Sequence, residues 1–402
     1  MVKKNFIYTL TVNDLFFNTN YYINHLHMDQ ILSEILQKYS SQLQPLSKEE
    51  LLDKIRGCIY GQALGDAIGI RTEFLSADEA SDNWRNRPLT LLGWEKRRKF
   101  PEGDWSDDTD QMIVILNSYL QSRGWDLQDF AKKLREWKKK GFRELGDKSG
   151  LGCGYTVSRV ISHKEFLTNP HMAALDIWIG GQCNLAANGA LMRSCILGII
   201  NYNNTEQVIR QTKEIGKCTH ADPRSLAASI AQTVAISLML QGMRDANTIT
   251  EASYEITSNF LQNYSNTLDG EVNSSCKPEK IEEYNTHKGN IGDHFNSETL
   301  RRYMNIDLQT LAPIDGEDMG YAYICLGCTF HALRQDNYED TIRDIIIQGG
   351  DADTNAAAAG ALLGCKVGFS GLPQNLVQQL LHKDWLEEKI THLINRLGFL
   401  TV

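Results

Sequence analysis

The stretch Gly349 to Gly364, GGDADTNAAAAGALLG, constrains this chain more than any other. Two glycines, two carboxylates and a hydroxyl precede a run that is almost all alanine. Asp351 and Asp353 are two residues apart and would not share one face of a regular helix. The preceding glycines therefore argue for a turn that aims both inward. Thr354 opens the helical run, and Ala356 to Ala359, Gly360 and Ala361 leave little side-chain bulk. That composition suits a helix that approaches other backbones closely, deep in a core. Taken alone, the stretch reads equally as a glycine turn and an Asp cap on a packed small-residue helix.

A second stretch has the same design. SDDTDQM, Ser106 to Met112, runs into the apolar-periodic MIVILNSYL. Ser106, Asp107 and Asp108 gather a hydroxyl and two carboxylates at a helix start, where unsatisfied backbone donors favour anionic groups. One acidic helix start is ordinary capping; two suggest a shared cation. Carboxylates brought together repel by up to about 4 kcal/mol per pair 4 Å apart at an effective dielectric near 20, so they need metal or protons. The ligands are hard oxygens with no His or Cys in either cluster, which selects magnesium or manganese, or calcium, over zinc. The expectation is a two-metal, oxygen-ligated site.

Length and charge narrow the class. At 402 residues, 42% hydrophobic and 23% charged, the chain can bury one large core or two modest ones. A net charge of −9 leaves no global basic field, so no nucleic-acid partner is expected. The compact basic pieces, EKRRK at Glu95 to Lys99 and REWKKK ending at Lys140, read as solvated faces or as guides for an anionic substrate. Nine cysteines without regular spacing read as reduced, mostly buried thiols. Cys325 and Cys328 form a lone CxxC with no second pair to make a metal site. No apolar run approaches about 18 residues and the opening MVKKNFIYTLTVNDLFF is broken by polar residues. No signal peptide and no membrane insertion are expected, and the cytoplasm is the default location; delivery into a host cell stays open.

Along the chain, residues 1–46 match no motif and read as an N-terminal extension, a short strand followed by a helix. SKEE at Ser47 has the spacing of a capping box and begins a helix ending in GQALGDAIGIRTEF, where Gly61, Gly65 and Gly69 flank Asp66 and lead to Glu73. A helix from Asp126 to Lys140 follows the acidic cluster. The glycine-rich Ser149 to Ile161 lacks the Lys and the preceding strand of a P-loop. Asn188 and Gly189 form a turn before an apolar helix with Arg193 one turn in, which reads equally as a place where backbone amides bind an anion and as a capped core helix. Asp222 and Pro223 read as the cap and first position of another long helix, with His220 just before it. The polar region from about 266 to 296 reads as an exposed loop or insertion. Nearly every segment is helical and no linker divides them. The fold expected is all-α, a compact orthogonal bundle over residues 47–402 with the metal site at its centre.

GDAIGIRTE, SDDTDQM, NGALMR, TH and GGDADTNAAAAGALLG, taken together, resemble the ADP-ribosylglycohydrolases. That group contains dinitrogenase reductase-activating glycohydrolase and the ADP-ribosylarginine and ADP-ribosylserine hydrolases. The resemblance covers about residues 50 to 375 and implies a compact all-α domain with two magnesium or manganese ions. It implies Ser106, Asp107, Asp108, Asp351, Asp353 and Thr354 as metal ligands, with Asp108 and Asp353 at the reacting centre. The metals would hold ribose hydroxyls of ADP-ribose while a nearby water or hydroxide attacks. Glu73, seven residues after Asp66, falls where serine-directed relatives have a mobile glutamate, and is read as a gate or proton-transfer residue. Asp66, Asn188, Gly189 and His220 are expected to bind substrate, the last three at the diphosphate and neighbouring ribose.

Three functions follow. The first is a hydrolase removing mono-ADP-ribose from a protein side chain, most readily arginine because SDDT is similar to the form in some arginine-directed enzymes, so reversing a transferase. The second cleaves an O-linked serine or ester bond instead. The third is a non-catalytic ADP-ribose-binding relative, against which the intact carboxylates of both clusters argue.

Overall fold

Ser47 starts the first long helix: its Oγ accepts the Glu50 N–H at 3.1 Å, one half of the expected capping box. A complete box forms at Ser76 and Glu79, where each side chain accepts the other's backbone N–H. The computed structural model describes residues 30–93, 100–122, 124–311 and 314–399. Residues 1–29, and with them most of the N-terminal extension, lie outside the described residues, as does the basic run Glu95 to Lys99. Residues 30–39 are helical.

The architecture is all-α. Among the described residues the one β-pairing is an isolated bridge between Ala187 and Tyr321, and no helix is long and apolar enough to cross a membrane. Five helices position the site: α1 (Lys48–Gly69), α2 (Asp107–Gln121), α3 (Pro223–Leu240), α4 (Ala322–Leu333) and α5 (Ala352–Val367). Asp222 caps α3 by accepting the Arg224 N–H at 3.0 Å, and Pro223 takes its first turn, as the residue types predict. All nine cysteines are unpaired. Cys325 on α4 donates its thiol to the Thr354 carbonyl at 3.6 Å, which ties α4 to the first turn of α5.

α1 and α5 form the centre of the core and touch backbone to backbone. A Cβ added at Gly57, Gly61, Gly65 or Gly69 would come closer than 3.0 Å to backbone atoms of Gly364, Gly360, Ala356 and Asp353 respectively. The two helices therefore run antiparallel, a glycine every fourth residue on α1 meeting Gly364, Gly360 and Ala356 in turn and, at the last step, the backbone of Ala352 and Asp353. Tyr338 locks the crossing by donating its hydroxyl to the Gly61 carbonyl at 2.5 Å.

The region 266–296 differs from its expected loop. It is helical: Ala246–Ser275 is one long helix, followed by Pro278–His287 and a 3-10 segment, Lys288–Phe295. Tyr264, Leu268 and Val272 are buried at four-residue intervals, and Tyr284 packs its ring against Trp178 with centroids 6.3 Å apart. One apolar residue per turn is enough to dock a helix but too sparse to stand out in an Asn-, Ser- and Glu-rich run.

The glycine contact predicts opposite effects at two positions. Gly61→Val should lower the unfolding free energy by about 3 kcal/mol, the upper end of overpacking costs. Gly270→Ala, on an open face of Ala246–Ser275, should raise it by about 0.5 to 1 kcal/mol. Urea unfolding midpoints at unchanged slope check both; a tolerated Gly61→Val would contradict the backbone contact.

Candidate metal and substrate site

Two helix starts and the end of α1 meet at one place. Ser106 is the N-cap of α2: its Oγ accepts the Asp108 N–H at 3.3 Å and donates to Asp108 Oδ2 at 3.0 Å. Asp66 reaches across from α1. Its Oδ1 accepts the Ser106 N–H at 3.0 Å, and its Oδ2 accepts the Thr109 N–H at 3.0 Å and the Thr109 hydroxyl at 2.6 Å. Asp66 thus satisfies backbone donors that α2 cannot satisfy itself.

The start of α5 is built by the turn expected of its glycines. Gly349 and Gly350 take φ of +66° and +62°, where a side chain would be strained. Gly350 accepts the Phe74 N–H at 2.6 Å and donates to the Leu75 carbonyl at 2.9 Å, which fastens this turn to the segment carrying Glu73. Asp351 is the N-cap residue and accepts from Asn188 Nδ2 at 2.7 Å through Oδ2. Asp353 Oδ1 accepts the Thr354 N–H at 2.9 Å.

These contacts bring together two groups of carboxylates. Oxygens of Asp66, Asp108 and Asp353 lie within 4.8 Å of one another, as do oxygens of Glu73, Asp351 and Asp353. Asp353 belongs to both. The first three side chains are buried, and burial together with mutual repulsion raises Asp108 and Asp353 well above the ordinary carboxylate range. Burial lifts Asp66 to about 6 despite the opposing pull of its hydrogen bonds from Ser106 and Thr109. Asp108 Oδ1 is buried with no hydrogen-bond partner among the described residues. The first group, buried, self-repelling and holding an unpaired oxygen, fits a hard divalent cation; the second, half-buried at Glu73 and Asp351 and sharing Asp353, offers the same all-oxygen chemistry.

Not every expected ligand joins these groups. Asp107 lies at their edge: burial and the Asp66 and Asp351 charges push it up to about 7, while its Oδ2 accepts from Gln111 Nε2 at 2.5 Å. The Ser106 hydroxyl is engaged with Asp108. Thr354 is buried in the first turn of α5, with its carbonyl on Cys325. Asp66, read from the sequence as a substrate-binding residue, is placed among the carboxylates able to hold a cation. Its signal lay in the glycine row, because a helix face bare at every fourth residue must touch another helix, and Asp66 borders that face.

Asn188, Gly189 and His220 gather beside Asp351. Asn188 and Gly189 begin a 3-10 turn, and Arg193 sits in the turn that follows rather than inside the helix Cys195–Ile200. A Cβ at Gly189 would meet the His220 ring at 3.0 Å, so glycine is what admits the imidazole. His220 is buried, and burial plus the Arg193 charge hold it down to about 3, neutral at any ordinary pH.

Fold and site define an all-α protein with a cluster of buried carboxylates able to hold divalent cations. The chain belongs to the ADP-ribosylglycohydrolase family, whose sequence profile matches residues 47–400. It is 23% identical over 356 residues to a Serratia proteamaculans protein named ADP-ribosylarginine hydrolase Tri1, covering 88% of this chain and 81% of that one. It is 25% identical over 357 residues to the human ADP-ribosylhydrolase ARH3, covering 81% and 89%. A solved structure described as an ADP-ribosylglycohydrolase-related protein complex superposes with a TM-score of 0.60 at 22% identity, covering 86% of this chain and 99% of that one.

The raised carboxylates give a pH dependence of known sign. Asp66 and Asp107 titrate near about 6 and about 7 in the folded chain against an ordinary 3.8. Stability is therefore fully present below the unfolded value and is lost as pH rises through the folded ones. In chelator the melting temperature should fall between about pH 5 and about pH 8. Magnesium or manganese, competing with protons for the same oxygens, should raise it at the higher pH and barely at the lower. Melts in both buffers test this, and a cation effect equal at both pH values would refute it.

Proposed function

We propose that this protein is a divalent-metal-dependent hydrolase that removes mono-ADP-ribose from a protein side chain, arginine first, and so reverses an ADP-ribosyltransferase. The observation that carries the reading is the sharing of Asp353 by two groups of carboxylates at the meeting of α1, α2 and α5. Two magnesium ions, with manganese as substitute, are the proposed cofactors. Asp66, Asp108 and Asp353 would hold one ion and Glu73, Asp351 and Asp353 the other, with Ser106, Asp107 and Thr354 supplying further oxygens at the margin. When bound, such ions would hold ribose hydroxyls through their oxygens and favour deprotonation of the attacking water.

The chain's own residues divide the remaining work. Asn188 fixes the orientation of Asp351 through its amide. Gly189 and His220 form the wall proposed to take the diphosphate and its neighbouring ribose. Glu73, on the turn fastened to Gly350, is the residue proposed to accept a proton from the attacking water. The water oxygen forms the new bond to the anomeric carbon, the carbon–nitrogen bond to the guanidine breaks, and the proton returns to the departing side chain.

Arginine is favoured by the SDDT motif and by the relative named for ADP-ribosylarginine. Glu73 beside Asp351 and Asp353 favours a second reading, an O-linked serine or ester bond, since the resembled serine-directed enzymes have a glutamate there. Release of ADP-ribose from arginine-modified and serine-modified peptides, with magnesium and with chelator, separates the two. Asp353→Ala should lower release by about a hundredfold or more, the scale of losing one group that stabilises developing charge. Glu73→Gln should lower kcat while ADP-ribose binding persists. If neither peptide is cleaved but ADP-ribose binds, the reading passes to a non-catalytic binding relative or to a linkage that neither peptide carries.

A further inference from the structure

Gln111, Arg193 and Thr219 are buried polar side chains outside the two carboxylate groups, and they connect Asp107 to His220. Arg193 donates from Nη1 to Gln111 Oε1 at 2.6 Å and from Nη2 to Thr219 Oγ1 at 2.5 Å, with its guanidinium 5.5 Å over the Phe130 ring. Gln111 continues one arm, its Nε2 donating to Asp107 Oδ2 at 2.5 Å. On the other arm Thr219 Oγ1 lies 2.8 Å from His220 Nδ1.

The direction of each arm follows from what a guanidinium can do. It has five N–H donors and no acceptor. Gln111 must therefore turn its oxygen to Arg193, which leaves its amide nitrogen for Asp107. Thr219 Oγ1 is likewise an acceptor toward Arg193. Its single O–H then finds one acceptor among the described residues, His220 Nδ1. With Nδ1 accepting, the neutral ring carries its proton on Nε2. That atom is buried with no partner among the described residues, and it lies 3.1 Å from where a Cβ would stand on Gly189.

We propose that Arg193 is a positioning residue. Through Gln111 it holds the Asp107 carboxylate, and through Thr219 it sets His220 in the tautomer that presents an Nε2–H donor over Gly189 to an oxygen of bound ADP-ribose. The identity of the ligand rests on the function proposed above; the tautomer does not. Lysine cannot replace this arginine, because a single ammonium lacks the rigid fork that spans Gln111 and Thr219 at once.

Histidine-labelled protein and long-range proton–nitrogen NMR read the tautomer directly, with His220→Asn identifying the signals. Wild type should show His220 Nδ1 unprotonated and Nε2 protonated. Thr219→Val, isosteric but without the hydroxyl, should move both nitrogens toward a tautomer mixture and weaken ADP-ribose binding about tenfold, the worth of one directed hydrogen bond. Thr219→Ser should restore both, and Arg193→Lys should reproduce the Val result with melting curves confirming that each variant is folded. A wild-type proton on Nδ1, or His220 signals unmoved by Thr219→Val, overturns the proposal. A shifted tautomer with unchanged ADP-ribose affinity overturns its ligand half alone. Wild type that does not bind ADP-ribose refutes the hydrolase reading and that half, while the NMR still decides the tautomer.

Discussion

The direct contact between the backbones of α1 and α5 is the constraint on which the rest of this structure depends. Helices with ordinary side chains pack about 8 to 10 Å apart; a row of glycines removes the spacer. The gain is dispersion between main-chain atoms, and any Cβ added along the row would collide. Asp66 and Asp353 stand at the same end of this contact. Their carboxylates meet because the two helix axes do.

Holding charges this close in a buried place opposes folding, and the chain offsets the cost with backbone dipoles. Asp107, Asp108 and Asp353 lie in first helical turns, and Asp66 accepts two main-chain N–H groups of the α2 start. Helix starts favour negative charge. They do not cancel repulsion among several carboxylates, which is why these acids keep a raised proton affinity and suit a doubly charged cation. The same economy governs the Asn188 side, where one buried arginine faces neutral partners and its charge helps keep His220 neutral.

Much of this was legible in the residues. Composition and periodicity indicated an all-helical chain, and the two acidic helix starts indicated an oxygen-lined site, because capping and turn chemistry are local and leave their marks at fixed spacings. The less visible features are those that depend on tertiary partners. Asp66 was read as a substrate-binding residue because the helix start whose donors it satisfies, that of α2, follows much later in sequence. The stripe through Tyr264, Leu268 and Val272 was hidden by polar neighbours, and Arg193, the last residue of NGALMR, declared no partner. Gln111 was the readable exception: it stands four residues after Asp107 on one helix face, a spacing visible in DDTDQM.

The order of the chain gives the α1–α5 contact a kinetic meaning. Glycine-rich α1 emerges early in synthesis, but the surface that covers it comes only with α5, after α2, α3 and α4. Until then its bare face has nothing of matching shape to rest on, and carboxylates contributed by distant segments cannot converge on one ion. Pairings between such distant segments are slow because chain entropy must be spent before they are rewarded. Cation binding would therefore report that α1, α2 and α5 have come together, and a chain interrupted before Ala352 would leave the glycine face of α1 uncovered.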